Sequence, residues 1–452
     1  MKANAQIAAE RIVERLRAEG FDAYFAGGCV RDLLLGQAPV DFDVATSARP
    51  EIVLDLFPRT FAVGAHFGVV LVADEIQGEQ IVTEVATFRN DGSYSDGRRP
   101  DRVSFSTDAR EDVLRRDFTI NGMLLDPMVL EEGDDPEKAT LDYVGGRADL
   151  AAGLVRAIGD PERRFKEDKL RMLRAVRFAA RFGFVIEPAT ASAIRCHAAE
   201  ISQVSDERVR DELTRMLTEG HARRAFELLD ETGLLKQVLP EIDRLHGVEQ
   251  PPEYHPEGDV WVHTLLLLEK LPAGASSTLA WGALLHDVGK SATFERAPDR
   301  IRFHGHVEVG SRIAAEICRR LRFSNEETAQ VLALIENHMR FGDVMRMKES
   351  TLKRFLRLPK FAEHLELHRM DCLSSHGDLS LYHFAKERYE TIPEEAVRPR
   401  LLVTGADLIA AGYAPGPSFK EMLSLAEDAQ LEGRIQTTEE GLELVRSVFS
   451  RT

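Results

Sequence analysis

The stretch FAGGCVRDLLLGQAPVDFDVATSA (25–48) decides the fold of the first part of this chain. A short apolar strand runs into the glycine pair Gly27 and Gly28, and a helix-like segment follows directly. Glycines at such a turn let the backbone approach a phosphate, and the N-terminus of the helix offers unpaired N–H groups to the anion. Arg31, just inside the helix, can add a charge-assisted contact. We therefore predict that Gly28 and Arg31 bind a phosphorylated ligand.

Two carboxylates, Asp41 and Asp43, lie on the next strand candidate. Residues two apart on a strand point to the same face, so both can bind Mg²⁺, which prefers oxygen ligands and substrate phosphates. Metal ions held in this way can activate an attacking hydroxyl and stabilise a leaving pyrophosphate. Glu84, on the strand candidate EQIVTEVATF (79–88), is the predicted third carboxylate. Alone, a glycine pair is typical of an ordinary turn and an Asp-x-Asp of a solvated strand end, but their order here favours catalysis.

Outward from this stretch, strand-like and helix-like segments alternate over the first 150 residues. After about Asp160, apolar residues recur at helical spacing instead. Breaks in the pattern lie at 247–259 and 393–405. The sequence gives no signal for an oligomeric state. We predict an α+β fold with four parts. The parts are a head at 1–150, a helical neck and body at 151–246, a histidine-rich helical domain at 247–380 and a helical tail at 381–452.

Composition narrows the class of protein. A net charge of −17 over 452 residues disfavours a uniformly basic nucleic-acid binder, although a local basic patch is compatible with it. The four cysteines are scattered without a Cys-x-x-Cys pair, which favours a reducing compartment. The N-terminus has no signal-peptide pattern, and no apolar run is long enough to span a bilayer. We expect a cytoplasmic protein with no membrane partner.

Several motifs resemble those of the polymerase-β-type nucleotidyltransferases, in the class that contains the bacterial CCA-adding enzymes and poly(A) polymerases. GGCVRD together with DFD is similar to the first motif of that class. The similarity continues almost without a break over roughly the first 220 residues, in RNDGSYSDGRRPDRVSF (89–105, the flexible loop), LRRDFTINGM (114–123), VGGRADLAAGLVRAIGD (144–160), RFKEDKLRMLRAVRFAARFGF (164–184) and ERVRDELTRML (207–217). The resemblance implies a polymerase-β-like head that uses Mg²⁺ to extend the 3′ end of tRNA from CTP and ATP.

The same resemblance implies that Glu167, Asp168 and Arg171 select the nucleotide. A carboxylate only accepts hydrogen bonds, whereas a guanidinium only donates them. Cytosine and adenine both present an amino donor beside a ring-nitrogen acceptor, and guanine and uracil present the reverse order. Asp168 and Arg171, three residues apart, are expected to share a helix face and to suit C and A, with Glu167 orienting Arg171. An ordinary surface ion pair is the alternative interpretation.

Further polar residues are expected around the nucleotide and the RNA. In RRDFTING, Arg116 is expected to meet the triphosphate and Asp117 or Asn121 the sugar hydroxyls, or Arg116 only to brace the head. Between residues 163 and 181, eight basic residues stand against two acidic ones, and the arginines recur at helical spacing. This basic stripe is expected to follow the tRNA acceptor stem through phosphate contacts, unless it is merely a solvated face. Arg174 is assigned to the nucleotide, and Arg164, Arg177 and Arg181 to the tRNA.

A second group of residues lies late in the chain and consists of histidines and aspartates. It comprises His263, the adjacent pair His286 and Asp287, and Asp371, with His306 and His338 between them. Imidazole and carboxylate groups on separate helices can converge on Mg²⁺ or a divalent transition metal. The order resembles the HD phosphohydrolase superfamily, which implies hydrolysis of phosphoesters such as a terminal or 2′,3′-cyclic phosphate. A degenerate domain kept only for packing is the alternative.

The sequence supports one main interpretation and leaves rivals open. The main one is addition of CCA, or its terminal A, to tRNA 3′ ends with release of pyrophosphate. CC-adding relatives have a shortened flexible loop. The loop here is full length, which argues for addition of the terminal A. An A-adding enzyme, a poly(A) polymerase, and an HD phosphohydrolase or RNA-binding protein with an inactive head are the alternatives. Intact Asp41 and Asp43 argue against the last of these.

Overall fold

The computed structural model describes residues 3–64, 68–91, 103–130, 135–253, 255–298 and 300–449. By its internal contacts the chain divides into two units, 1–240 and 241–452. Most of the flexible-loop motif, residues 92–102, lies outside the described residues, and its flanks pair as two short strands. The finer division into four domains remains a prediction.

A mixed sheet forms the head in the first unit. The strands up to residue 142 are β1 (Ala23–Ala26), β2 (Asp43–Thr46), β3 (Thr60–Gly64), β4 (Val69–Ile76), β5 (Glu79–Thr87), β6 (Arg89–Asp91), β7 (Val103–Phe105), β8 (Met123–Leu125) and β9 (Thr140–Asp142). Seven of them form the sheet, in the order β3-β4-β5-β2-β1-β8-β9. In the described residues of this sheet, β2 and β5 run parallel and the other neighbours are antiparallel. The sequence predicts strands in DAYFAGG (22–28), FDVAT (42–46), FGVVLVAD (67–74) and EQIVTEVATF (79–88). These correspond to β1, β2, β4 and β5, and those predictions are confirmed.

Later strands are only two residues long. They are β10 (Leu154–Val155), β11 (Val185–Ile186), β12 (Glu295–Arg296) and β13 (Ile301–Arg302). Among the described residues, helix therefore dominates after the head, and the predicted α+β class is confirmed.

Helix periodicity in the sequence explains how the first unit packs. Helix α1 buries Ala8, Ile12 and Leu16 at helical spacing and packs them against the sheet. The helices up to residue 243 are α1 (Asn4–Ala18), α2 (Gly28–Leu34), α3 (Pro50–Leu56), α4 (Ala109–Leu114), α5 (Gly146–Ala151), α6 (Pro161–Glu167), α7 (Leu170–Phe182), α8 (Pro188–His197), α9 (Asp206–Thr218), α10 (Ala222–Glu231), α11 (Leu235–Val238) and α12 (Pro240–Asp243). Helix α7 contacts both α9 and α10, so the segment that carries the arginines lies inside this unit.

The second unit is helical, and its two central helices are apolar on nearly every side. Helices α13 (Val260–Glu269) and α14 (Ser277–Leu285) are mostly buried, which holds His263 on α13 and His286 directly after α14 away from bulk solvent. From residue 260 the helices are α13 (Val260–Glu269), α14 (Ser277–Leu285), α15 (Lys290–Thr293), α16 (His306–Arg320), α17 (Asn325–Asn337), α18 (Glu349–Leu356), α19 (Phe361–Ser374), α20 (Ser380–Thr391), α21 (Glu394–Val397), α22 (Gly405–Ala410), α23 (Ser418–Leu431) and α24 (Thr438–Val448). In the described part of the chain, no helix has both the length and the apolar character needed to cross a membrane.

Candidate active site and candidate metal centre

A cavity of about 530 Å³ opens in the first unit where the sheet meets α7 and α9. Its walls carry many charged groups, most of them arginines. The residues that line the cavity are Ala26, Gly27, Gly28, Arg31, Asp43, Val44, Val69, Glu84, Ala86, Arg89, Arg115, Arg116, Asp117, Asn121, Asp168, Leu170, Arg171, Arg174, Phe178 and Arg208. Most residues predicted for catalysis or nucleotide binding therefore face one cavity.

The glycine turn forms one wall of this cavity. Gly27 has a φ of 76°, which favours glycine, and α2 begins at Gly28 as the sequence predicts. Arg31 is 4% exposed and donates to Asn121 Oδ1 at 2.6 Å and to Asp32 Oδ1. Its guanidinium also lies 4.4 Å from the ring centre of Phe182. Arg31 is thus held in place by protein groups at the cavity edge, and phosphate contact stays a prediction.

The carboxylates on β2 and β5 meet across the parallel strand pair. Val44 is paired with Val85, so Asp43 and Glu84 occupy equivalent positions on adjacent strands and line the same cavity. Both residues keep solvent-exposed surface. Even so, the surrounding protein partly desolvates the Asp43 carboxyl, and the Glu84 carboxylate lies close to it. These two effects together raise the pKa of Asp43 to about 6. Two crowded carboxylates of this kind fit a hard divalent cation.

Asp41 is placed differently from the prediction. Strand β2 begins at Asp43, so Asp41 precedes the strand, although both aspartates are exposed and Phe42 between them is buried. Asp41 is exposed and lines a separate cavity of about 390 Å³. It still lies near enough to raise the pKa of Asp43 through its charge. Its predicted role as a second metal ligand stays a prediction.

A buried carboxylate holds two arginines at the cavity. Asp112 is fully buried on α4, and its two oxygens accept from Arg115 Nε at 2.9 Å and from Arg116 Nη2 at 2.9 Å. These guanidiniums hold the pKa of Asp112 below its usual range despite burial. The arrangement fixes Arg116, the predicted triphosphate contact, while sharing its charge with Asp112.

Asp117 links the head to α7. It accepts from Asn121 Nδ2 at 3.2 Å and from Arg174 Nε at 2.8 Å. Although burial opposes ionisation, Arg174 and these hydrogen bonds lower the pKa of Asp117 to about 2. Asp117, Asn121 and Arg174, three residues assigned to the nucleotide, therefore form one connected group.

Glu167 and Arg171 contact each other as the sequence predicts. Glu167 Oε2 accepts from Arg171 Nη1 at 2.9 Å and from Arg164 Nη1 at 2.8 Å. Arg171 is 8% exposed and also donates to the backbone oxygens of Arg164 and Arg115. Arg164 additionally donates to the Ile158 oxygen at 2.9 Å. Arg164 thus makes internal contacts, and its predicted contact with tRNA has no support from its position.

Asp168 does not lie on the helix that carries Arg171. Helix α6 ends at Glu167 and α7 begins at Leu170, so Asp168 occupies the break between them and the shared-face argument is wrong. The extended backbone of Asp168 (φ −145°, ψ 108°) lets its carboxylate accept from the Leu170 N–H. Both Asp168 and Arg171 nevertheless line the cavity.

Arg208 is a residue that the sequence reasoning did not assign. It lies on α9 and donates to the two oxygens of Asp168 at 3.3 and 2.8 Å, which fixes the orientation of that carboxylate. The motif ERVRDELTRML carried the signal, because Arg208 lies within it. Only the fold shows which carboxylate this arginine meets.

The expectation of a solvent-facing arginine stripe is wrong for part of α7. Arg177 is 5% exposed and donates to Glu212 Oε2 at 2.7 Å, because α7 turns this face toward α9. Arg181 keeps about a third of its side chain exposed and lies 3.9 Å from Glu219. Of the three arginines assigned to tRNA, only Arg181 keeps this much of its side chain exposed.

The second unit brings the four predicted HD residues together. His263 Nε2 lies 3.2 Å from Asp371 Oδ1 and 3.9 Å from Asp287 Oδ2. His286 Nε2 lies 3.2 Å from Asp287 Oδ2. The residues come from α13, α19 and the end of α14, and His263, His286 and Asp287 are at most 3% exposed. This cluster is the histidine centre.

Two further histidines complete the histidine centre. His306 Nε2 and His338 Nε2 lie 3.8 and 3.9 Å from Asp287 Oδ1. The sequence reasoning noted both but left them out of the predicted ligand set. Gly289 makes the approach of α16 possible, because a Cβ there would collide with the His306 backbone oxygen.

The donors of the histidine centre fit a metal site. The Nε2 atoms of His263, His286, His306 and His338 are buried and accept or donate no hydrogen bond. Buried polar atoms without a partner are rare and costly, and a divalent ion would satisfy these. Asp371 and Glu257 outweigh burial and raise the pKa of His263 to about 9.

Comparison with known proteins agrees with this geometry. The family model of the poly A polymerase head domain matches residues 23–156, that of the probable RNA and SrmB-binding site of polymerase A matches 183–245, and that of the HD domain matches 259–376.

Two curated relatives and one solved structure show the extent of the similarity. The chain is 44% identical to a CCA-adding enzyme of Geobacillus stearothermophilus, over 49% of this chain and 52% of that protein, so this match spans about half of each. It is 32% identical to a CCA-adding enzyme of Geobacillus sp. (strain WCH70), over 95% of this chain and 93% of that protein. The crystal structure of the Bacillus stearothermophilus CCA-adding enzyme in complex with CTP superposes with a TM-score of 0.73 at 28% identity, over 99% of this chain and 98% of that one. With identity of this level along almost the whole length, the chain belongs to the family of CCA-adding enzymes.

Proposed function

We propose that this chain adds CCA to the 3′ ends of tRNA from CTP and ATP, without a template. The observation that carries the proposal is the cavity in which Asp43 and Glu84 face the same space as Asp168 and Arg171. Asp43 and Glu84 can hold Mg²⁺ at the triphosphate end of a nucleotide, and Asp168 and Arg171 can form hydrogen bonds with its base. The 3′ oxygen of the tRNA bonds to the α-phosphorus, pyrophosphate leaves, and the hydroxyl proton is released.

Asp43 and Glu84, with Asp41 nearby, are the residues that would hold Mg²⁺. When bound, Mg²⁺ activates the attacking hydroxyl and offsets the charge of the leaving pyrophosphate. The arginines of the cavity supply further positive charge. Arg116 is held by the buried Asp112 and Arg174 by the half-buried Asp117, so they present fixed guanidiniums to the triphosphate at little cost of reorganisation.

Base selection follows from the fixed orientation of two side chains. A carboxylate has about four lone-pair sites, so Asp168 can keep Arg208 and still accept from the amino group of C or A. Arg171, held by Glu167, donates to the neighbouring ring nitrogen. A carbonyl of G or U placed against Asp168 would leave buried acceptors unpaired, at roughly 1–3 kcal/mol each.

Incorporation of each of the four nucleotides tests this proposal. The assay uses two tRNA transcripts, one that lacks the triplet and one that ends in CC, with Mg²⁺ and one nucleoside triphosphate at a time. We expect incorporation from CTP at once, from ATP once CC is present, and none above background from GTP or UTP. Equal use of all four nucleotides would contradict the proposed role of Asp168 and Arg171.

We also propose the cytoplasm as the place of action, where tRNA is matured and where the four free cysteines would stay reduced.

A second function is favoured by the histidine centre. We propose that it hydrolyses phosphoesters in a metal-dependent reaction, because four buried imidazole nitrogens and two aspartates lie together there. A terminal or 2′,3′-cyclic phosphate on RNA, which would block extension, is the proposed substrate class. A H286A/D287A double variant tests this in a phosphatase assay with added Mn²⁺, Ni²⁺ or Mg²⁺. Loss of hydrolysis is the expected result, and unchanged hydrolysis would contradict the assignment.

A further inference from the structure

Gln250 is a buried amide next to the histidine centre, on the loop that joins α12 to α13. It is 4% exposed, and its Oε1 accepts a hydrogen bond from Lys290 Nζ at 2.7 Å. Lys290 Nζ also lies 2.7 Å from Asp287 Oδ2. A single lysine side chain therefore connects Gln250 to a carboxylate of the histidine centre.

The loop holds Gln250 in a fixed position. The loop is closed at its base, where the Val260 N–H donates to the Val248 oxygen at 3.0 Å. Pro251 follows Gln250 directly, and a residue that precedes proline is restricted to extended backbone. The backbone at Gln250 is therefore set by the loop itself, before any ligand binds.

The direction of the Gln250 amide follows from its partner. A lysine ammonium only donates hydrogen bonds, so the amide oxygen faces Lys290 and Nε2 takes the other side of the amide. Within the described residues, Nε2 donates to no protein atom although it is buried. Buried polar groups almost always have a partner, and one that has none in the protein points to a ligand or a function. Gln250 thus offers two N–H donors that the protein itself does not use.

The donors of Lys290, in contrast, are already occupied. An ammonium has three N–H groups, and three groups surround this one. They are Asp287 Oδ2, Gln250 Oε1 and the ring of Phe303, whose centre lies 5.4 Å from Nζ. Lys290 offsets the charge of Asp287, which lets an anion approach, and the hydrogen bond to that anion is left to Gln250.

We infer that Gln250 binds the substrate of the histidine centre, with Nε2 donating to an oxygen of the phosphate group. Hydrogen bonds from N–H groups to a charged oxygen are stronger than those between neutral groups, so a phosphate suits a buried amide donor. Gln250 is separated from Asp287 by one lysine, so both can face the same phosphate. Gln250 holds the phosphate and takes no part in breaking the ester bond. This inference rests on the proposed phosphohydrolase function.

The variant Q250E separates substrate binding from support of Lys290. A glutamate keeps an oxygen for Lys290 Nζ but replaces both N–H donors by a second acceptor. The assay is hydrolysis of 2′,3′-cyclic AMP with Mn²⁺ or Ni²⁺. KM should rise about 10- to 100-fold, as for the loss of a hydrogen bond to a charged group, with kcat changed less than about 3-fold. An unchanged KM would overturn the inference.

Two further variants control for charge and for folding. Q436E adds the same charge at an exposed position in the loop before α24, and it should leave KM unchanged. Q250M removes the polar atoms without adding charge, and it should raise KM about 3- to 10-fold. It replaces Q250E if circular dichroism shows that Q250E is unfolded. An unchanged KM in Q250M would then overturn the inference.

Phosphate binding distinguishes the inference from the function on which it rests. Calorimetry measures the affinity of the metal-loaded full chain for inorganic phosphate, and binding that persists in H286A/D287A is subtracted as binding to other sites. If no phosphoester is hydrolysed but Q250E weakens the remaining binding about 10-fold or more, Gln250 keeps its role and only the phosphohydrolase function is contradicted. An affinity that Q250E leaves unchanged would overturn the inference, even if hydrolysis is observed.

Discussion

The cavity of the head and the histidine centre satisfy their buried polar groups in opposite ways. In the cavity, aspartates and glutamates already hold arginines, as in Asp117 with Arg174 and Asp168 with Arg208. In the histidine centre, four buried Nε2 atoms have no hydrogen-bond partner. The first arrangement is complete in itself and presents fixed charges to a ligand that arrives and leaves. The second gathers imidazole nitrogens and carboxylates that suit a divalent metal ion.

The largest expected effect is the loss of nucleotide incorporation in D43A, which changes an acid of the cavity and leaves the acids of the histidine centre intact. D43A removes a carboxylate that lies beside Glu84, so incorporation of CTP and ATP should fall by about 10³-fold or more. Phosphoester hydrolysis by the same variant should not change. D74A, an aspartate on β4 outside the cavity, is the matched control for incorporation. An active D43A enzyme would remove Asp43 from the catalytic site.

Breaking the buried ion pair between Arg177 and Glu212 in the first unit should lower the free energy of unfolding. R177A leaves the buried Glu212 with only the 3.9 Å contact to Arg174, so we expect a cost toward the lower end of the roughly 3–5 kcal/mol typical of a broken buried pair. Denaturant unfolding measures this free energy. R181A on the same helix should cost less than about 1 kcal/mol, because Arg181 is a third exposed. Equal, small effects would mean that Arg177 is a surface residue and restore it as a tRNA contact.

Base selection should depend on the carboxylate in the break between α6 and α7. D168A removes the acceptor for the amino group of C and A, so preference for CTP over UTP should fall roughly 10- to 100-fold. The ratio of kcat/KM for the two nucleotides measures this. D211A, an exposed aspartate on α9, should leave the ratio unchanged. Unaltered discrimination in D168A would show that selection lies elsewhere.

Arg208 should have the smallest effect, because it acts on Asp168 and not on the base. R208A should raise KM for CTP and ATP about 3- to 10-fold, since Asp168 loses the bidentate contact that orients it. The matched control is R210A, two residues further on the same helix and directed at Asp211. A lower KM in R208A would mean that Arg208 competes with the nucleotide.

The sequence predicted the elements of the head well, because strand–turn–helix order and helical spacing are local features. It also predicted which residues gather in the cavity, through motifs in which the site residues are adjacent. It failed where tertiary packing decides. Asp168 falls in a helix break that periodicity does not reveal, and Arg177 is buried because α9 covers that face of α7.

The histidine centre shows the same limit. The adjacent pair His286 and Asp287 is a local signal, but the contribution of His306 and His338 depends on how α16 and the end of α17 pack around Asp287. That packing requires a glycine at position 289, whose role only the backbone contact with α16 makes plain.

Extension of three labelled tRNA transcripts tests the central claim most directly. The transcripts end before the triplet, after C and after CC, and each receives CTP and ATP alone and together. The account predicts that all three reach one defined CCA end when both nucleotides are present. Extension of only the CC-ended transcript, by a single A, would contradict it in favour of an A-adding enzyme, and a long ladder of A would indicate a poly(A) polymerase.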